Sequence, residues 1–129
     1  MIFSEVAAGF KTALEQIDGV QVYDYVPDSS NWPCVIIYPE GAQVDTPSTA
    51  TFVLWALTGR ADERGAQEML SRWLSPDDGG EFIEALDDDN TLGGACMSVI
   101  PREVRNWGLG NPNEGRPSGW QAELVCEVL

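Results

Sequence analysis

Four consecutive oxygen-bearing side chains, Asp87 to Asn90, are the first candidate for chemistry in this chain. Carboxylate and amide oxygens are the ligands that Mg²⁺ and Ca²⁺ prefer. The run lacks the alternate spacing, central glycine and distal glutamate of an EF-hand loop, and carboxylates are unfavourable at a helix C-terminus. The sequence therefore predicts that the preceding helix ends by Leu86 and that the run is a solvated loop, with an interface or a metal site as the alternatives.

Other catalytic patterns are weaker still. Asp77 and Asp78 are neighbours in a Pro/Gly-rich segment, where two carboxylates have no fixed separation of the kind that acid-base pairs need. The chain has no histidine, which removes the commonest general base and the Ser-His and Cys-His nucleophile pairs. Phosphate loops, dinucleotide fingerprints and CxxC zinc motifs are also missing from the sequence. We therefore predict no enzyme activity, cofactor or metal, with a Mg²⁺-dependent aspartate enzyme as the alternative.

Two tryptophans lie in polar, turn-rich segments. Trp32 falls in residues 28–33, a segment that begins with Asp28, and Trp107 falls in residues 106–119. Exposed indoles in polar loops are favoured anchors of protein interfaces. The sequence predicts contact residues here, and it leaves equally open that each indole folds back onto the core.

Three of the seven basic residues, Arg102, Arg105 and Arg116, lie in or beside the late turn-rich segment of an otherwise acidic chain. A protein that pairs with copies of itself could set such a basic segment against an acidic neighbour. The sequence leaves equally open that these arginines lie at the solvent-exposed end of a strand and contact no partner.

Apolar periodicity predicts the elements that position these residues. Ser4 and Asp62 are candidate N-caps, Gly19 is a candidate helix stop, and Pro27 and Pro39 are expected to end strands. The resulting order is helix 4–17, strands 20–26, 34–38 and 49–58, helices 62–74 and 81–86, and strands 95–104 and 120–128. This order predicts a single α+β domain over residues 1–129. It is an α/β sandwich with a mixed, largely antiparallel sheet of about five strands, on which an N-terminal helix and a central helix pair pack.

Composition narrows the class of protein. The chain has 129 residues and a net charge of −14, and this negative charge disfavours binding to nucleic acid. No apolar run approaches the roughly 20 residues that cross a bilayer, and no basic leader precedes the first apolar residues, so we expect no membrane association and no export. Cys34, Cys96 and Cys126 are expected to be buried, reduced thiols.

The succession of segments resembles the tail terminator proteins of long-tailed bacteriophages, especially phages that infect actinobacteria. The likeness covers nearly the whole chain in order, and no segment is a catalytic signature. It is carried by an opening amphipathic helix closed by IDGVQVYDYVPD (17–28), by PCVIIYPE (33–40), GRADERGAQEMLSRWLSP (59–76) and ALDDDNTLGGACMSVIPREVRNWG (85–108), and by the alternating C-terminal strand.

This resemblance implies a structural protein that forms a ring, usually of six copies, on the finished tail tube. Such a ring stops tube growth and presents a surface to the head-tail connector and neck proteins. DNA would pass through the ring without specific binding, which suits the negative charge. The implied location is the tail-neck junction of the virion, after assembly in the host cytoplasm. A head-completion or neck protein is the runner-up, and a host-directed binding module is a further alternative.

Overall fold

The computed structural model describes residues 1–44, 48–75, 80–110 and 118–129. Its helices and strands form one five-stranded sheet and one layer of helices. The sheet order is β1-β2-β3-β5-β4; β1 is parallel to β2, and the other neighbours are antiparallel. The α+β prediction is therefore confirmed. The elements are α1 (Phe3–Leu14), β1 (Gln21–Tyr23), β2 (Cys34–Gln43), β3 (Thr49–Arg60), α2 (Ala66–Leu74), α3 (Glu81–Asp88), a 3-10 turn (Leu92–Gly94), β4 (Val99–Leu109) and β5 (Gly119–Val128).

All three helices pack on the same face of the sheet. The apolar stripes of the helices meet alternate residues of the strands because side chains in a strand point to the two faces in turn. Phe10 of α1 lies against Phe52 of β3, with ring centroids 5.5 Å apart. Trp73 of α2 stacks on Phe82 of α3 at 5.1 Å. These contacts form the main core, whose strand residues include Val35, Ile37, Leu54, Ala122, Leu124 and Cys126.

No helix of the described residues packs on the opposite face, and we call it the open face. A smaller apolar cluster lies there around Cys34, Ile36 and Leu57. The near-continuous apolar run of residues 34–38 predicts a strand that is buried on both faces, and the structure confirms this for residues 34–37. The alternating pattern of residues 120–128 predicts a half-buried strand. This prediction is wrong, because β5 is an interior strand and its Gln121 and Glu123 are also buried.

Both predicted helix caps are wrong. Ser4 lies inside α1, whose N-cap position is Ile2, and α1 ends at Leu14, well before Gly19. The segment after β3 turns first, with the Glu63 N–H donating to the Arg60 carbonyl at 3.0 Å, so α2 begins only at Ala66. Asp62 therefore lies in a turn that brings the chain back onto the sheet.

Strand ends also differ from the prediction. The first strand ends at Tyr23, four residues before Pro27. β2 passes Pro39 by means of a bulge between Pro39 and Gly41 and continues to Gln43. β4 is displaced toward the C-terminus, to Val99–Leu109, and bulges between Pro101 and Glu103 and between Arg105 and Gly108. A bulge adds a residue to one strand and lets it continue past a position that cannot keep the ladder in register.

The first two residues of the acidic run, Asp87 and Asp88, are part of a helix, and the other two lie in the turn that follows it. α3 continues through Asp87 to Asp88, so the prediction that it ends by Leu86 is wrong. Buried Phe82 and Leu86 anchor α3 on the core. Asp89 follows the last turn, and its Oδ1 accepts a hydrogen bond from the Gly93 N–H at 3.0 Å. No helix in the described part of the chain is both long and apolar enough to cross a bilayer.

Candidate functional site on the open face and margins of the sheet

A charged network lies on the open face around Glu123 of β5. Arg105, directly opposite on β4, donates to Glu123 Oε2 from Nη2 at 3.2 Å and from Nε at 3.3 Å. The Asn106 amide donates to Glu123 Oε1 at 2.8 Å. Three donors from β4 therefore bind the carboxylate of Glu123, a residue that is 5% exposed. We call Arg105, Asn106, Glu123 and Glu40 the Arg105 clamp.

The clamp also reaches across the sheet. Arg105 pairs with Glu40, the bulged residue of β2, although β5 and β3 lie between their strands. The bulge displaces Glu40 from the regular ladder, and this displacement lets its carboxylate meet the guanidinium. The hydrogen bond to Glu40 is the largest of the effects that raise the pKa of Arg105. The clamp therefore ties the exposed end of β2 to the edge strand β4.

Arg102 makes a simpler ion pair. Its Nε donates to Glu127 Oε2 of β5 at 2.8 Å; the Arg102 side chain is 54% exposed and that of Glu127 is 32% exposed. Arg102 and Arg105 are three residues apart, so a regular strand would place them on opposite faces. The bulge between Pro101 and Glu103 brings both onto the open face. Each arginine already pairs with a carboxylate of the same chain, so neither is an unpaired cation.

Aromatic side chains occupy the other part of the open face. Trp32 packs on the Cys34, Ile36 and Leu57 cluster, and its Nε1 donates to Ser30 Oγ at 3.1 Å. The indole also lies against β5, because a Cβ built on Gly119 would be 2.6 Å from Trp32 Cζ3. Of the two interpretations that the sequence left open, the structure shows the indole folded onto the sheet and partly buried.

The remaining predicted contact residues lie apart. Trp107 is in β4 and not in a loop, which corrects the prediction, and it is exposed at the outer edge of the sheet. Asp28 is exposed in the segment after β1. Arg116, Asp77 and Asp78 lie outside the described residues. Sequence reasoning missed Glu40, Glu123 and Asn106. Opposite charges facing each other across the β4–β5 hairpin could have revealed the Arg105–Glu123 pair, but nothing in the sequence signals that Glu40 joins it.

Exposed large apolar side chains mark the margins of the sheet. Within the described residues they form three groups. One group lies where β2 ends and β3 begins, and we call it the terminal patch: Met1, Ile2, Phe3, Val44 and Met97. The second, the β1-edge patch, consists of Tyr25 and Val26, with the Tyr25 ring 5.9 Å from Tyr23 of β1. The third, the β4-edge patch, consists of Trp107 and Leu109.

No metal site assembles in the described ranges, where no three His, Cys, Asp or Glu side chains are grouped to hold an ion. The run from Asp87 to Asn90 does not form one: Asp89 accepts the Gly93 N–H, and the Asn90 amide donates to the Val99 carbonyl at 2.7 Å. These two side chains fix the turn between α3 and β4.

The three cysteines should differ in reactivity. Burial raises the pKa of Cys34 from 9.0 to about 11, against a smaller lowering by Ser30, and raises that of Cys126 to about 12. At pH 8 only about one Cys34 in a thousand is then the reactive thiolate. In folded protein we expect a thiol reagent to modify half-buried Cys96 first and the other two only on unfolding. Rapid labelling of all three thiols in folded protein would contradict this order of reactivity.

The same pKa shifts affect stability. Thiols in the unfolded chain ionise at lower pH than the buried thiols, so the free energy of unfolding should fall as pH rises above about 9.

This chain was compared with models of known protein families and with curated proteins. No model of a known protein family matches it. No curated protein matches it at a significant level.

Proposed function

We propose that this chain is a structural assembly protein, a phage tail terminator, that forms a ring on the completed tail tube. The ring stops addition of tube subunits and offers its other side to the head-tail connector, and DNA passes through it without specific binding. Two supports are independent of each other. One is the resemblance of the ordered sequence segments, and the other is the distribution of exposed apolar side chains.

That distribution carries the proposal. A ring subunit that caps a tube needs contacts on two sides, with the neighbouring copies, and contacts along the axis, with the tube or the connector. The terminal, β1-edge and β4-edge patches lie at one end and at two opposite edges of one rigid sheet. Exposed apolar groups at such margins are typical of interaction surfaces. The outer helical layer, by contrast, is strongly acidic along α3, which holds Glu81, Glu84, Asp87 and Asp88 and no basic residue.

Tails made without this protein provide the test. We expect tubes that are overlong and uneven in length in electron micrographs, because nothing stops polymerisation. Supplying the protein should restore a single length. Tails of normal length that fail to join heads would overturn termination and favour the head-completion or neck role.

A matched pair of variants sharpens this test. Val44→Asp in the terminal patch changes a side chain that is 94% exposed, so it should leave the fold intact and reduce tube capping. Gln67→Asp makes the same change of charge at an exposed position of α2 and should cap tubes like the parent. Equal capping by both variants would exclude the terminal patch from the tube contact.

A further inference from the structure

We propose that the ion pair between Glu40 and Arg105 is a latch, which keeps an apolar strip on the open face covered and uncovers it when the pair separates. The strip consists of Val53 of β3 and Val125 of β5. The latch is a property of the single chain, so it does not depend on the ring proposed above. It makes the open face a surface whose exposure the protein can change.

The strand register places the strip directly under the latch. Three successive rows of paired residues cross the open face from β4 to β2, and they are Arg105–Glu123–Trp55–Ile36, Glu103–Val125–Val53–Tyr38 and Ile100–Glu127–Thr51–Gly41. Arg105 belongs to the first row, and Glu40 lies in the bulge just before Gly41 of the third row. A pair between them therefore crosses the second row, where Val125 and Val53 lie.

The two side chains of the latch must also lie flat on the sheet. β5 and β3 separate β4 from β2. Neighbouring strands are about 4.8 Å apart, so three such intervals amount to about 14 Å. Arg105 and Glu40 can span this distance only when both extend along the face toward each other. In that position they shield the residues beneath them from water.

The burial of the strip agrees with such a cover. Val53 is 0% exposed and Val125 is 7% exposed, although no helix in the described part of the chain packs on this face. Neither valine belongs to the two apolar clusters of the described residues. Trp55 follows on the same face of β3, but its Nε1 donates to Gln121 at 3.1 Å, one row farther from the strip. Tyr38 flanks the strip on β2, and the latch crosses it, so these side chains form the cover.

The two ends of the latch are held unequally. Arg105 is fixed by Glu123, whose side chain is 7% exposed and also accepts the Asn106 amide. Glu40 is 42% exposed, so water and salt compete for its carboxylate. Release therefore separates Glu40 from Arg105 and leaves the buried pair with Glu123 intact.

The end of β2 can move when the latch separates. β1 pairs with β2 only at residues 34–36, so beyond that range the described residues provide β2 with a neighbouring strand on one side alone. Residues 39–43 are all exposed. A strand end that buries little opens locally more readily than a central strand. The uncovered strip is continuous with a hollow of about 570 Å³, because Val125 lines that hollow together with Gly41 and Arg102.

Thiol labelling of a buried reporter tests the latch in purified protein. In a Cys96→Ser background, Val53→Cys places the reporter under the latch, and Cys34 and Cys126 are buried references elsewhere in the fold. Adding Glu40→Gln should raise the rate at which N-ethylmaleimide labels position 53 by about twofold to fivefold, because it removes one charge of a partly exposed pair. The labelling rates of the two reference thiols should not change, as peptide mass spectrometry would show.

Two controls separate release of the latch from other effects of charge. Glu127→Gln makes the same change of charge on the same face but breaks the Arg102 pair, so it should leave the labelling rate at position 53 unchanged. Raising the NaCl concentration from roughly 0.02 M to roughly 0.5 M should speed labelling when Glu40 is present, because salt screens exposed ion pairs. The same increase in salt should have little effect once Glu40→Gln has removed the pair.

Either of two results would overturn the latch. One is an equal labelling rate at position 53 with and without Glu40→Gln. The other is faster labelling of Cys34 and Cys126 in step with position 53, since that would show unfolding of the whole domain. Val125→Cys supplies a second reporter under the same pair if Val53→Cys does not fold. No tail tube takes part in this experiment, so its failure leaves the proposed role in termination to its own test.

Discussion

Replacing Arg105 with alanine is expected to lower the free energy of unfolding by about 2–3 kcal/mol, because it leaves Glu123 without its cation. The Glu123 side chain is only 7% exposed, so water cannot easily replace the lost donor. Arg105 itself is 31% exposed, and this partial exposure keeps the expected loss below the range for a fully buried pair. Urea unfolding followed by tryptophan fluorescence would measure the change.

Arg102 is a matched control on the same strand. Its side chain is 54% exposed and that of Glu127 is 32% exposed, so Arg102→Ala should cost less than about 1 kcal/mol. A second change tests the cause: Glu123→Leu should recover much of the stability lost in Arg105→Ala, since it removes the buried carboxylate that has lost its cation. Equal losses for the two arginine variants would refute the idea that burial of Glu123 sets the effect.

Sequence periodicity predicted the elements of the fold and their order because apolar side chains must face the core at intervals set by the local geometry. The helical stripe of α1 and the near-continuous apolar run of β2 are examples. Ends of elements were harder to predict. Ser4 and Asp62 have the chemistry of N-caps, but the chain turns between residues 60 and 65, and α1 begins at Phe3, whose ring packs on Phe52. Packing thus outweighed local capping preference.

The sequence did not predict where the candidate contact residues lie. Arg102, Arg105 and Trp107 share one strand at the margin of the sheet, where the sequence predicted a strand end followed by a turn-rich loop. Trp32 was harder to place, since an indole in a polar loop has the same local sequence whether it points outward or lies on Gly119. Glu40 joins Arg105 across 65 residues of sequence, and a bulge makes this possible. Such a contact depends on the strand order and on the bulge, and it has no local signal in the sequence.

Replacing Trp73 with alanine is expected to produce a larger loss, about 3–5 kcal/mol. Trp73 is fully buried, stacks on Phe82 and joins α2 to α3 over the sheet. Truncation would remove that stack and leave a cavity that rigid neighbours cannot fill. Because a domain of this kind is stable by only about 5–15 kcal/mol, the variant should unfold at a much lower urea concentration than the parent.

Trp73→Phe separates packing from hydrogen bonding at this position. The indole Nε1 is buried and has no hydrogen-bond partner within the described residues. Phenylalanine removes that donor and keeps a ring that can stack on Phe82, so its loss of stability should be less than half that of Trp73→Ala. Trp107→Ala makes the same truncation at an exposed edge and should change stability by less than about 1 kcal/mol. If Trp73→Phe is as unstable as Trp73→Ala, the indole N–H contributes a hydrogen bond that the fold requires, and packing alone does not explain the role of Trp73 in the core.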